Sequence, residues 1–170
     1  LIPLSGNAAT PMIAADYYAT YALKADGTVW VWGKPGGLVL KPVPSQVEGL
    51  NAAIAVCTKA DSGLLALKSD GTVWRIPVQG SVSQVGSLIG ITAIACGALH
   101  DLALRSDGTV WAWGLNAHGE LGDGTLNSST VPVQVNNLNG ITAIAADAYA
   151  CFSLKSDGTV WAWGIESNSG

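Results

Sequence analysis

The sequence is short of charge, of cysteine and of long apolar runs. Only 12% of its 170 residues are charged, 8 basic against 12 acidic, giving a formal net charge of −4. The basic residues are spread over distant segments, so no positive stripe is available to neutralise phosphates, which argues against a nucleic-acid partner. The three cysteines, Cys57, Cys96 and Cys151, form no Cys-X-X-Cys pair and cannot all be bridged. A disulfide framework is therefore not expected, the thiols read as small core residues, and the redox compartment stays open. No apolar run approaches the roughly 18 residues of a membrane-spanning helix, so membrane insertion is not expected. There is neither an initiator Met nor a basic-then-apolar leader, and the chain reads as cut from something longer or as a processed product. What it does have is a 49% apolar composition, with 21 Gly and 7 Trp, which is enough for one real core and too much for disorder.

Its main signal is an internal repeat. Asp-Gly-Thr-Val-Trp occurs four times, at 26–30, 70–74, 107–111 and 157–161, with successive copies starting 44, 37 and 50 residues apart. The flanks repeat as well: Tyr21-Ala22-Leu23-Lys24, Leu65-Ala66-Leu67-Lys68, Leu102-Ala103-Leu104-Arg105 and Phe152-Ser153-Leu154-Lys155 precede the four copies. Ile91-Thr92-Ala93-Ile94-Ala95 returns unchanged at 141–145. These features divide the chain into units of about 11–50, 51–90, 91–140 and 141–170, the last taking in residues 1–6.

Each unit reads as β-structure, because Asp-Gly between two alternating apolar runs is a strong hairpin signal. With Asp and Gly as the two central residues of a type I′ turn, Leu102, Leu104, Trp111 and Trp113 fall on one face, and Ala103, Arg105, Val110 and Ala112 on the other. Both faces are then largely apolar, which predicts small sheets stacked radially as in a β-propeller. Ile91–Ala95 suits an inner strand near an axis, and Val131-Pro132-Val133 an outer edge where a missing donor is tolerated. The expected fold is all-β: about four four-stranded antiparallel blades forming a propeller or a piece of one.

With these residues in view, the sequence resembles the regulator-of-chromosome-condensation repeat family, in its bacterial phrasing. The third unit carries the fullest pattern, from Ile91-Thr92-Ala93-Ile94-Ala95-Cys96-Gly97 through Trp111-Ala112-Trp113-Gly114 to Asn116-Ala117-His118-Gly119-Glu120-Leu121-Gly122-Asp123-Gly124. The first two units lack that last segment, and the second has Arg75-Ile76-Pro77 where the others have Trp-Gly. Family propellers usually close with about seven blades, and this chain holds about half of that. The fourth unit lacks an outer strand, and Leu1-Ile2-Pro3-Leu4-Ser5-Gly6 resembles the missing piece. That leaves three arrangements: four blades closed by the N-terminal strand, a homodimer completing a larger ring, or half of a larger propeller. The resemblance implies a protein-binding scaffold, since one member is an exchange factor for the small GTPase Ran and a secreted one inhibits β-lactamases.

Catalytic chemistry finds little support. His100-Asp101 is the one adjacent His–Asp pair, and its His position is Ala19, Gly63 and Ala150 in the other units. His118 and Glu120 sit in a Gly-rich turn with no third ligand nearby, so neither a metal nor any other cofactor is expected. Variation concentrates instead in the connection after each inner strand. The residues Asp16, Tyr17, Tyr18, Leu99, His100, Asp147 and Tyr149 are the candidate binding positions there, because variable loops on a constant frame present binding sites. The leading expectation is a non-enzymatic module for an unknown protein partner. The alternatives are a structural or adhesive repeat of a large bacterial surface protein, which the low charge would suit in an extracellular setting, and a carbohydrate-binding or enzymatic propeller.

Overall fold

The computed structural model describes residues 9–35, 40–59, 63–77 and 81–164. They form fifteen strands: β1 (Met12–Ala15), β2 (Ala19–Leu23), β3 (Val29–Gly33), β4 (Lys41–Gln46), β5 (Ala53–Lys59), β6 (Gly63–Lys68), β7 (Val73–Ile76), β8 (Ser83–Gln84), β9 (Ile91–Cys96), β10 (His100–Arg105), β11 (Val110–Gly114), β12 (Ser129–Gln134), β13 (Ile141–Ala146), β14 (Cys151–Lys155) and β15 (Val160–Trp163). Consecutive strands pair antiparallel into blades β1–β4, β5–β8, β9–β12 and, among the described residues, the three strands β13–β15. The chain is thus an all-β series of propeller blades. Strands β1, β5, β9 and β13 pack in succession along an inner arc, while β4, β8 and β12 form the outer edges. The proposed closure by residues 1–6 lies outside the described residues, and among those described β13 has no comparable packing against β1.

The turns differ from the expected two-residue type. In the third blade Arg105 N donates to Thr109 O at 2.9 Å and Gly108 N donates to Arg105 O at 2.9 Å, with Gly108 at φ +79°. The loop is therefore Ser106-Asp107-Gly108, a three-residue turn ending in a left-handed glycine. Asp107 Oδ1 accepts from Thr109 N and Oγ1, and Trp111 Nε1 donates to the same Thr hydroxyl, which explains why Asp, Thr and Trp recur together. One extra loop residue shifts the register by one and moves one strand's side chains to the other face. Leu102 pairs with Ala112 and Leu104 with Val110, while Ala103 pairs with Trp111 and Asp101 with Trp113. The expected union of Leu102, Leu104, Trp111 and Trp113 on one face is corrected accordingly. Each blade instead has a leucine–valine face and a tryptophan face.

These faces interlock in one direction around the arc. Tyr21, Leu23, Val29 and Val31 of the first blade pack on Val56, Leu64 and Ala66 of the second, with Trp74 and Ile76 beside them. Leu65, Leu67 and Val73 meet Ala103, Trp113 and Trp111 at the next seam, and Leu102, Leu104 and Val110 meet Cys151, Ile144 and Trp163 at the last. The turn glycine of each of the first three blades also docks the following blade: Gly27 O accepts from Ala53 N, Gly71 O from Ile91 N and Gly108 O from Ile141 N. On the tryptophan faces, a cation lies over the ring in all four blades (Lys24 on Trp30, Lys68 on Trp74, Arg105 on Trp111, Lys155 on Trp161).

Two further findings depart from expectation. Cys57 on β5 and Cys96 on β9 are joined by a disulfide across the second seam, with Cα atoms 5.8 Å apart, and Cys151 is the free, buried cysteine. Spacing along the chain could not show that the two cysteines face each other from adjacent inner strands. The segment 116–125, which the first two units lack, acts as a wedge in the last seam. Asn116 holds it by donating to Thr125 O and Asn127 O and accepting from Leu121 N, which seats Leu121 in the core. Among the described residues the first seam shows no such wedge, and a cavity of about 730 Å³ lies there, lined by Tyr21, Val31, Val47, Ile76 and Val82 among others.

Candidate functional site

Three of the connections that follow the inner strands share one backbone frame; the second falls partly outside the described residues. In the first, Asp16 N donates to Ala19 O, and Asp16 Oδ1 accepts from Tyr18 N at 2.8 Å and Ala19 N at 2.7 Å. The fourth repeats the backbone bond, Asp147 N to Ala150 O at 2.8 Å, while Asp147 Oδ1 accepts from the adjacent amide, Ala148 N, at 2.7 Å. In the third, Gly97 N donates to His100 O. An aspartate at the turn entry satisfies amides that would otherwise be unpaired and so fixes the tip.

Neighbouring connections touch. Thr58 Oγ1 donates to Ala15 O at 3.0 Å, Ala98 N to Ala148 O at 3.3 Å, and the His118 ring meets Tyr149 edge-on at 5.2 Å between centroids. Asp16, Tyr17, Tyr18, Leu99, Asp147 and Tyr149 therefore belong to one rim. Tyr17 is 86% exposed, Tyr18, Leu99 and Tyr149 are about half exposed, Asp147 is open to solvent and Asp16 is half-buried.

His100 does not belong with them. It is 1% exposed and lies beneath the rim, with Nε2 3.1 Å from Cys151 Sγ, which also donates to Glu120 O at 3.3 Å. Burial pushes the Cys151 thiol up to about 12, with the Glu120 charge adding to it. Burial likewise holds the His100 imidazole below its ordinary value, against the pull of Glu120 and with the help of Lys59. This pair is the reverse of an activated nucleophile, which needs a lowered thiol pKa and access. Glu120 is itself buried; burial works to raise its carboxyl, but hydrogen bonds from the His118 backbone and ring, and from its own backbone, hold it low.

Beside His100, Asp101 is fully buried and forms an ion pair with Lys59, Oδ2 to Nζ 2.6 Å, while its Oδ1 has no hydrogen-bond partner among the described residues. Burial raises the Asp101 carboxyl, and Lys59 and then Arg75 oppose that. The pair bridges the second and third blades next to the disulfide. Sequence reasoning missed both links, because each joins residues about 40 positions apart. The wedge was the one local clue, since a segment that the first two units lack marks a seam built differently from theirs.

Comparison with known proteins places the repeat. The regulator of chromosome condensation (RCC1) repeat matches residues 107–154, and a second description of that repeat matches residues 91–120. No curated protein matches the chain. Among solved structures it is similar to human WBSCR16 (TM-score 0.78, 21% identity, 94% of this chain and 49% of that one). It is also similar to Prp20p from Saccharomyces cerevisiae, reported with its binding properties to Gsp1p and histones (TM-score 0.73, 23% identity, 90% and 44%). The computationally designed Ika4 protein is similar over 95% of both chains (TM-score 0.61, 22% identity). The chain thus spans less than half the length of the two natural proteins. Repeat matches, blade order and these structural likenesses agree: the chain carries regulator of chromosome condensation (RCC1) repeats on a β-propeller fold.

Proposed function

We propose that the chain is a non-catalytic protein-binding module whose partner docks on the rim formed by the loops after the inner strands. The observation that carries this reading is the exposure of Tyr17, Tyr18, Leu99 and Tyr149 on turns pinned by Asp16 and Asp147. Aromatic and apolar groups held on ordered turns give large contact area at low ordering cost. Prp20p, similar in fold, is described with binding to Gsp1p and histones, which supports a protein as the class of partner here. The scattered basic residues and net charge of −4 favour protein over nucleic acid. The closed His100–Cys151 pair favours binding over catalysis. A cystine between blades fits an oxidising compartment.

The test compares proteins retained from an extract of the source cells by three immobilised forms: the wild type, Tyr17→Ser/Tyr149→Ser on the rim, and Val131→Ser on the outer strand β12. Loss of two hot-spot side chains should weaken capture at least about tenfold, while Val131→Ser behaves as wild type. Equal capture by the rim variant, or equal loss in both variants, would remove the rim from the reading.

A further inference from the structure

We propose that the Cys57–Cys96 cystine is a thiol-exchange site that a dithiol reductant opens in the folded protein, unclamping the Gly97–Leu99 rim turn from the second blade. Thr58 on β5 stands across from Leu64, Cys96 on β9 across from Asp101 and Ala146 on β13 across from Cys151. These three residues occupy one register position, at the base of the rim. Each ties its seam differently. Thr58 donates from Oγ1 to Ala15 O of the first blade, Cys96 is bonded to Cys57 of the second, and the alanine side chain of Ala146 has no group to do either. Only the cystine can be opened and remade chemically.

The surroundings favour exchange. Both bridged cysteines are half-buried, whereas Cys151 is 0% exposed. Lys59 lies two residues beyond Cys57 on β5 and so projects from the same face of that strand. Its Nζ reaches across the same seam to Asp101 Oδ2 at 2.6 Å. A thiolate released at Cys57 thus forms on the side of the strand that carries an ammonium group, a setting that stabilises a leaving sulfur.

Exchange takes two steps. A thiolate of the dithiol attacks Cys96 Sγ, the bond between Cys96 and Cys57 breaks, and Cys57 leaves as a thiolate while a mixed disulfide forms on Cys96. The second thiol of the reductant, as its thiolate, attacks the reductant sulfur of that mixed disulfide and releases Cys96. The reductant ends as a disulfide, two electrons have passed to the cystine, and the two protons that the dithiol lost are taken up by Cys57 and Cys96. The fold survives this step, because the second seam keeps Leu65, Leu67, Val73, Ala103 and Trp113 buried and keeps the Lys59–Asp101 pair. What is lost is the clamp at the foot of the rim turn. This inference does not depend on the rim having a partner.

The deciding experiment treats the 170-residue chain with dithiothreitol in native buffer, quenches with iodoacetamide at intervals and counts labels by intact mass. Cys151 reports unfolding, since its thiol is buried and pushed up to about 12. The expected product carries two labels and forms faster than the chain unfolds globally in the same buffer. Amide hydrogen exchange at Ala98 and Leu99 should then rise several-fold, while the Asp107–Thr109 turn of the same blade keeps its rate. Lys59→Gln should slow reduction about threefold, and Asp101→Asn, which leaves the Lys59 charge without its counter-ion, should speed it. A mere loss of stability would speed both, so slowing isolates the charge of Lys59. Reduction only at the rate of global unfolding, or a product with three labels, overturns the proposal. So does a rim turn whose amide exchange ignores reduction, or a Lys59→Gln variant reduced no more slowly than the wild type.

Discussion

Gly114 has φ +115°, and a Cβ there would overlap the carbonyl oxygen of Leu99. Gly33 and Gly164 face Tyr18 O and Tyr149 O in the same way, 2.5 Å and 2.6 Å from the position a Cβ would take. The second blade has Pro77 at this point, and there the glycine has crossed to the partner strand: a Cβ on Gly63 would overlap Ile76 O. Each blade needs one missing Cβ where its second and third strands meet beneath the rim, and either strand can supply it. Gly114→Ala should therefore cost about 2 kcal/mol or more. Gly49→Ala, also left-handed but with nothing within 4 Å, should cost only about 1 kcal/mol. Equal losses in urea unfolding would contradict the argument from close approach. His100 gives a second outcome at this scale. Its imidazole titrates near 6.5 when unfolded and lower when folded, because burial disfavours the charged form. Between those two values the unfolded chain binds the extra proton, so stability rises with pH through the window and is lost as pH falls below about 6.5. Urea midpoints from pH 8 to pH 5 should show this slope, and His100→Gln should flatten it.

The hairpin shows how far an element can be read from its letters. Asp-Gly identified the turn in all four blades, and the strands on either side are where the alternation put them. What the letters did not settle was loop length, because a two-residue loop and a three-residue loop ending in left-handed glycine both use Asp-Gly. Thr109, taking Asp107 through both its amide and its hydroxyl, decides for the longer loop. Its effect reaches every cross-strand pair in the blade, and the expected faces failed for this one reason. The inner and outer strands were legible because small residues and proline have positional meaning independent of register. Links between elements were not legible: the cystine between β5 and β9 and the Lys59–Asp101 pair beside it depend on two blades lying side by side. The cystine closes a separation of 39 residues, for which loop-closure entropy predicts about 4 kcal/mol. Reduction with dithiothreitol should lower the melting temperature, and Cys57→Ser/Cys96→Ser should match the reduced protein and show no further response to reductant. A wild type indifferent to reductant would mean that the bridge adds nothing to the fold.

Across the whole molecule, blades follow one another with the same polarity, each offering a tryptophan face backward and a leucine–valine face forward. The repeat made this architecture legible, and the variable connections pointed to the rim, where Tyr17, Tyr18, Leu99 and Tyr149 stand exposed. His100 was misplaced because a position inside a variable loop says nothing about depth, and the last residue of that loop begins a buried strand. Arrays of this kind draw their stability from neighbour contacts, so they lose structure from the ends inward. The three seams are not alike in that respect, since only the middle one is covalent. Under tension along the chain, the first and last blades would peel strand by strand and act as sacrificial links. Peeling would halt at the cystine from both sides, leaving the stretch between Cys57 and Cys96 unable to lengthen.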